Sequence, residues 1–468
     1  NRSLWADEAS IALNITHRSY LELLQPLDHN QAAPPGFLWM EKLAVQLLGN
    51  HEFAFRLFPL IAGIIALFAF YQLGKQTLSA IAFPIAVTLF ACLYYPIYYS
   101  SEAKPYSSDV MVALLLSLLL IALQGQLLKK GSVLLLGLIG SISMWFSYPT
   151  IFTLGGMEIA SLITTSKDKR KAIFINRLPA YCIWILSFAA IYFFVISGAM
   201  KNQTLQNAWS PEYPSSIFDI PWIFESFRQV FSNPLNFHGI SNEVAIAAFI
   251  IGCIALFNQN KIKLLLLTSP ILATLIATYF HKYPFRTRLI FFLVPFFVVI
   301  MAEGIAYLLA QFKTRRYAAV IGFVMLCIVL LPPSVEAVSL IHSPTVKRSM
   351  RPIVEYTRTH GKPGDLIYVD AGNSPDQFKY YAERNGYSES DYIFGYNDFL
   401  NSNPLSQQQW KDFQAKSVRL KSGQRVWFIF SGLGKNKKQL VKPRLDEIGQ
   451  ELDFYDRRGA LTYLYQLK

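Results

Sequence analysis

The chain has 468 residues, of which 53% are hydrophobic and 16% charged, with a formal net charge of +13. Soluble domains run at roughly 45–50% apolar and about 25% charged, so this balance excludes an ordinary soluble protein and points to a membrane class. The charge does not indicate nucleic acid, because the densest basic runs sit in short loops between apolar blocks and form no continuous basic face with interleaved aromatics.

The chain opens on a polar segment at Asn1, with no signal peptide, and the expectation is that a transmembrane helix precedes it. The run Trp5-Ala6-Asp7-Glu8-Ala9 places two adjacent acids at the start of a helix reading Glu8–Ile15. Acids in a first turn complement the helix dipole; alternatively, one of them removes a proton from an acceptor hydroxyl. Next comes Asp28-His29-Asn30-Gln31-Ala32-Ala33-Pro34-Pro35-Gly36. Its Pro-Pro-Gly run forces an extended-then-turn geometry, which holds several polar groups near the bilayer or simply leads into a helix.

From Phe53 to Val335, apolar runs recur at 57–73, 77–99, 107–127, 132–148, 150–165, 178–198, 243–258, 262–280, 289–310 and 317–335, about ten spans. Tyr148 and Pro149 alone separate 132–148 from 150–165. The basic loops fix orientation: Lys129 and Lys130; Lys167, Lys169, Arg170 and Lys171; Lys261 and Lys263; and Lys313, Arg315 and Arg316. Counting spans puts all of them on one side, the cytoplasm. The same count puts residues 1–52, the loop Ser101–Tyr106, the loop 199–242 and everything after Val335 outside. The loop 199–242, with Trp209, Trp222, Phe224 and Phe227, reads as an amphipathic element along the membrane surface.

Two outer loops carry further charge. Ser100-Ser101-Glu102-Ala103-Lys104-Pro105-Tyr106-Ser107-Ser108-Asp109 places an acid and a cation at the mouth of a span, where they bind a phosphate or a metal–phosphate assembly, or snorkel. His281-Lys282-Tyr283-Pro284-Phe285-Arg286-Thr287-Arg288 places cations outside, against the positive-inside trend, where a bound lipid phosphate or unspecific attraction to anionic headgroups would account for them. Glu158 and Glu303 lie inside apolar spans, where neighbouring helices satisfy them or a transport function uses them. The cysteines Cys92, Cys182, Cys253 and Cys327 all fall in apolar segments and read as small buried hydrophobes.

Past residue 342 the pattern turns to a soluble mixture. Val354–His360 and Gln377–Arg384 read as helices, and Asp365–Asp370, Arg425–Phe430 and Ala460–Gln466 as strands of a small α/β domain on the outer face.

In order and sidedness these loops resemble the polytopic glycosyltransferases of the GT-C fold, which include protein O-mannosyltransferases and the aminoarabinose transferase of lipid A. The resemblance runs through the Asp7-Glu8 pair, the Pro34-Pro35 turn and the stretch Gly49-Asn50-His51-Glu52-Phe53-Ala54-Phe55-Arg56. It continues through the Glu102-Ala103-Lys104-Pro105-Tyr106 loop and the Tyr283-Pro284…Arg288 loop before the Pro295 helix. It implies an α-helical polytopic membrane protein with a C-terminal extracytoplasmic α/β domain. The transferase part would span 1–335 and the soluble part 336–468. It further implies inverting transfer of a sugar from a polyprenyl-phosphate donor to an acceptor glycan, lipid or protein, among membrane lipids and with no nucleic acid.

Asp7 falls on the family's catalytic aspartate, and Glu8 is the second acid of the pair. Lys104 and Arg288 are expected at the donor phosphate, with Arg286 and Lys282 behind them; Glu102, His29 and Asp28 line the site or hold a metal. The resemblance leaves a divalent metal open and fixes no cofactor. Lys104 stands where the family often has Arg, and the two cations differ at a bidentate phosphate site. The implied location is a bacterial plasma membrane. The competing readings are a transporter or lipid flippase that uses Glu158 and Glu303 as relays, for which no inverted repeat is visible, and a non-catalytic sensor.

Overall fold

The computed structural model describes residues 2–216, 218–311, 315–345, 349–370, 375–395, 420–432 and 435–468; Lys313 of the last basic loop lies outside them. Contacts divide the chain into two compact units, Arg18–Pro344 and Asn1–His17 with Thr345–Lys468. The sequence boundary at 335/336 kept residues 1–17 with the helical part, whereas the division by contacts falls after His17 and after Pro344. The first helix, α1 (Ala6–His17), therefore belongs to the α/β unit.

The unit Arg18–Pro344 is helical. Pro34 caps α2 (Pro35–Leu48), whose first-turn proline lacks only an amide that would have no partner there, and Gly49, at φ 95°, ends it. There follow α3 (Ala54–Thr77), α4 (Ala82–Cys92), α5 (Tyr94–Tyr99), α6 (Tyr106–Ala122), α7 (Lys130–Phe146) and α8 (Thr150–Thr164). Next, α9 (Lys167–Ile191) runs through a π turn into α10 (Ser197–Met200). The long loop holds α11 (Gln203–Trp209) and α12 (Ile220–Ser232). Then come α13 (Ile240–Gln259), α14 (Lys261–Tyr279), a 3-10 segment Thr287–Leu293, α15 (Val294–Ala310) and α16 (Arg316–His342).

Among the described residues, six of these segments are long and apolar enough to cross a membrane: Ala54–Thr77, Lys167–Met200, Ile240–Gln259, Lys261–Tyr279, Thr287–Ala310 and Arg316–His342. Four shorter apolar helices, α4, α6, α7 and α8, coincide with the remaining expected runs. The chain is thus a polytopic membrane bundle.

Its centre is α15, buried from Val294 to Ala306 and packed on α13. A Cβ on Gly252 would land on the carbonyl of Ile300, and one on Gly304 on the carbonyl of Ala248. Without a hydrophobic drive between helices in lipid, this small-residue contact lets the two backbones close up. Phe68, Ile185, Ile254 and Phe323 stay exposed on outward faces, as lipid-facing side chains do. Lys130, Lys167, Lys261 and Arg316 each open a helix. That placement opposes the helix dipole.

The other unit is built on a five-stranded sheet in the order β2-β1-β3-β5-β4. After α17 (Met350–His360), β1 (Leu366–Asp370) pairs in parallel with β2 (Tyr392–Gly395) and with β3 (Arg425–Ser431). The antiparallel pair β4 (Gly449–Arg457) and β5 (Ala460–Leu467) extends the sheet from β3. Helices α18 (Pro375–Arg384) and α19 (Lys435–Ile448) complete it. The near-continuous apolar reading of β1 and β3 follows from burial along β1 and along β3 from Val426 onward. Asp365 ties the edge of β3 by accepting from Arg425 Nε at 2.7 Å and Trp427 Nε1 at 3.1 Å.

Candidate active site

The acid pair belongs to the α/β unit, where α1 packs on α18. The Leu4 amide donates to the Tyr381 hydroxyl and the Leu4 carbonyl accepts from Gln377 Nε2, both at 2.7 Å. Further along, Ser10 Oγ donates to Asp376 Oδ2 at 2.6 Å, and His17 Nε2 meets Glu383 at 2.9 Å. Of the two acids, Glu8 serves the helix start: it is buried, and its Oε2 accepts from the Trp5 amide at 3.1 Å, the reach-back half of a capping box. Asp7, one residue earlier, is half-buried.

The remaining sequence candidates belong to the helical unit. The loop before α2 turns through His29 and Asn30, at φ 62° and 53°. Left-handed backbone is tolerable for Asn and costly for most other side chains. Side chains hold this turn from several directions. Arg18 Nη2 pairs with the exposed Asp28 at 2.7 Å, Asn202 donates to Asn30 at 2.9 Å, and the Tyr148 hydroxyl donates to the Ala33 carbonyl at 2.8 Å. Gln31 Oε1 accepts from Lys104 Nζ at 2.6 Å. The Pro-Pro turn and the Glu102–Tyr106 loop, which are separate in sequence, are therefore joined through Lys104.

Glu102 and Lys104 are both buried, at 1% and 4% exposure. Burying such groups is costly without compensation, so the loop's burial with its charges is a marked feature. Arg288 arrives beside the same loop, its guanidinium 5.9 Å from the Tyr106 ring centre. Tyr99 packs edge-on against Tyr106 and Phe291, each at 4.8 Å, and both Glu102 and Arg288 lie within electrostatic reach of it. Between the two arginines, Thr287 takes φ 44°, a rare conformation for a β-branched residue and one found where surroundings over-determine the backbone.

The other outer cations are placed differently. Arg286 is buried, with Nε 2.5 Å from Glu212 Oε2 and a second bond to Gln229 Oε1, so it fastens the long loop 199–242. Lys282 is exposed, and His281 stacks on Tyr213 with its Nε2 3.1 Å from the Pro214 carbonyl. Among the described residues, no three His, Cys, Asp or Glu side chains gather as a metal would require.

A groove of about 180 Å³ runs beneath this loop between α3, α4, α5 and α6. Leu60, Ile64, Leu67, Phe90 and Ile97 make it apolar, while Ser100 and Ser107 stand where the sequence enters and leaves the Glu102–Tyr106 loop. Phe291, the ring against Tyr99, also lines it. Gly63 permits the close approach, since a Cβ there would stand 2.6 Å from Ser100 Cβ.

Sequence reasoning missed this aromatic wall, although a signal exists. Tyr94 stacks on Tyr98 at 5.6 Å and Tyr95 on Tyr99 at 5.5 Å, so two i, i+4 tyrosine pairs mark one short helix.

The intramembrane acids are both engaged. Glu158 pairs with Arg177 at 2.6 Å and accepts from the Tyr181 hydroxyl at 3.2 Å. Glu303 accepts from the Ser79 amide at 2.9 Å and hydroxyl at 3.0 Å, and pairs with Lys263 at 2.9 Å. These contacts tie each acid to a neighbouring helix.

Residues 32–197 match the family model described as Dolichyl-phosphate-mannose-protein mannosyltransferase. No curated protein sequence matches the chain. Among solved structures, the archaeal oligosaccharyltransferase AglB from Archaeoglobus fulgidus, in complex with an inhibitory peptide and a dolichol-phosphate, is similar at a TM-score of 0.52 and 10% identity. That match covers 99% of this chain and 70% of AglB. ArnT from Cupriavidus metallidurans bound to undecaprenyl phosphate gives a TM-score of 0.49 and 12% identity, covering 99% of this chain and 94% of ArnT. The likeness to AglB shows a shared fold.

Proposed function

We propose that this chain is a membrane glycosyltransferase that moves a sugar from a polyprenyl-phosphate donor to an acceptor hydroxyl. One observation carries the reading. An apolar groove open on the lipid-facing side of α3 ends at a loop that buries Glu102 and Lys104 and meets Arg288. An isoprenoid chain suits the groove, and a phosphate suits its cationic end. The family match over 32–197 and the dolichol-phosphate and undecaprenyl phosphate bound to AglB and ArnT agree with it.

In this mechanism the acceptor oxygen attacks the anomeric carbon as the bond from that carbon to the phosphate oxygen breaks. The acceptor proton passes to the Asp7 carboxylate, and polyprenyl phosphate leaves with the bonding electron pair. A phosphate leaves already ionised, so one base and fixed cations suffice, unlike the paired carboxylates of glycosidases. Lys104 and Arg288 stabilise the developing charge, with Arg286 and Lys282 as secondary cations, and Glu102, His29 and Asp28 line the site or hold a metal. Residues 1–335 would form the transferase part, with all ten apolar helices crossing the membrane. Residues 336–468 would form the outer domain, and the loops just described would face the extracytoplasmic side of a bacterial plasma membrane.

The test compares purified wild type and Asp7→Asn, each incubated with radiolabelled polyprenyl-phosphate sugars and membrane-derived acceptors. Transfer by wild type alone, with donor binding equal in both, is the expected result. Equal transfer by both removes Asp7 as the base, and binding of no donor by either removes the enzyme reading.

A further inference from the structure

The long loop between α10 and α13 contains a second polar cavity that the donor site does not use. Asp219 caps α12 by accepting from the Trp222 amide at 3.1 Å, and the helix that follows is two-faced. Phe218, Ile220, Ile223 and Phe224 project outward and exposed, which suits the headgroup zone of a bilayer. Along another face, Glu225, Arg228 and Gln229 join Phe237, His238 and Asn242 around a cavity of about 190 Å³, room for a single sugar ring.

Asn242 makes this more than a surface dent. It is 5% exposed, it lines the cavity, and its Oδ1 finds no hydrogen-bond partner among the described residues. A buried amide oxygen left without a donor costs free energy that an incoming O–H or N–H group would recover. The charge of the wall selects among ligands. Arg228 is already paired with Glu243 at 2.9 Å, and Glu225 adds a carboxylate, so the cavity offers an anion no net attraction. Carboxylate, amide and imidazole groups around a buried Phe237 ring match a neutral, hydroxyl-rich ring with an apolar face.

We infer that this cavity is a saccharide subsite at the membrane surface, holding one sugar ring of a carbohydrate acceptor with a hydroxyl donated to Asn242 Oδ1. The inference rests on the glycosyl-transfer reading for its biological meaning, but the binding itself can be measured apart from it. Asn242 is a binding residue here and takes no part in the displacement.

The experiment uses the full chain in nanodiscs and saturation-transfer NMR with a panel of methyl glycosides, with glycerophosphoethanolamine and inorganic phosphate as the lipid-headgroup and free-anion probes. The expected result is saturation of at least one glycoside. Its affinity should fall about tenfold in Asn242→Leu, the loss of one hydrogen bond to a buried acceptor. It should be kept in Asn242→Asp, which retains the acceptor oxygen, with melting temperature confirming that both variants fold. Saturation of the phosphate probes alone, of no probe, or of glycosides equally in wild type and Asn242→Leu overturns the subsite. Polyprenyl phosphate titrated into the same nanodiscs separates the two ideas. Its binding without glycoside binding sinks the subsite alone, and glycoside binding without it leaves the subsite standing and sinks the donor reading.

Discussion

Arg177→Met tests whether the acids inside the bundle are structural. The Arg177 side chain is 0% exposed and the Glu158 side chain 6%, with Nη1 2.6 Å from Oε1. The guanidinium also donates to the carbonyls of Leu123 and Gln126. Removing it strands a carboxylate beside a cavity of about 310 Å³ lined by Leu154, Ile159, Leu162 and Phe174. Breaking one side of a buried pair costs ~3–5 kcal/mol. Tyr181 still donates to Glu158, so the lower end of that range applies. Replacing both partners with apolar residues is often neutral or stabilising, so Glu158→Leu with Arg177→Met should restore most of the loss. At roughly 2 °C per kcal/mol for a chain of this size, the single variant should melt ~6–8 °C below wild type in nanodiscs and the double variant within ~3 °C of it. Transfer per folded molecule should survive in the double variant. An unchanged Tm for Arg177→Met would refute the energetics. A stable but inactive double variant would refute a purely structural role for the pair.

Lys104→Met should lower kcat/KM for the donor ~10²–10³-fold, the usual loss when one group stabilising developing charge is removed, while Lys104→Arg keeps the charge and part of the rate; equal initial rates in wild type and Lys104→Met would refute the assignment. Gly63→Leu puts a side chain where a Cβ alone already stands 2.6 Å from Ser100 Cβ, so polyprenyl phosphate should bind at least ~10-fold more weakly by titration in nanodiscs. Gln377→Leu removes the donor to the Leu4 carbonyl. It should cost ~1–3 kcal/mol and speed hydrogen exchange along Ala6–His17; unchanged protection would show that α1 does not depend on this contact.

The helices of the membrane unit were legible because their signal is collective. Each apolar run spends many residues on one message, and short breaks such as Tyr148-Pro149 punctuate it. Strands β1, β3 and β5 were legible for the same reason. Helix α19 was not, because the sequence Lys435–Ile448 is dominated by basic and polar residues. Strand β4 was hidden by acidic and basic side chains along Gly449–Arg457, the way an edge strand guards itself. At the candidate site, sequence gave residue types but not partners. Gln31 with Lys104, Glu212 with Arg286 and Glu158 with Arg177 each join residues from different elements. No local spacing encodes such pairs, so the separation of Arg286, which fastens a loop, from Arg288, which meets Tyr106, had to come from the fold.

The acid pair shows how a local rule and a chemical one can divide between neighbours. From sequence, dipole complementation competed with catalysis as an explanation for both Asp7 and Glu8. In the structure Glu8 caps the Trp5 amide and is buried, so the helix start is satisfied without invoking Asp7. A general base must be reachable by an acceptor hydroxyl. Asp7 is half-buried and Glu8 fully buried, so an acceptor would reach Asp7 more readily. The two substitutions should therefore fail differently. Glu8→Ala should lose ~1 kcal/mol of stability with the loss of its cap while folded molecules keep much of their kcat. Asp7→Asn should leave Tm within a degree or two and abolish kcat. The same failure in both would mean that the pair acts as one unit and that capping does not account for Glu8.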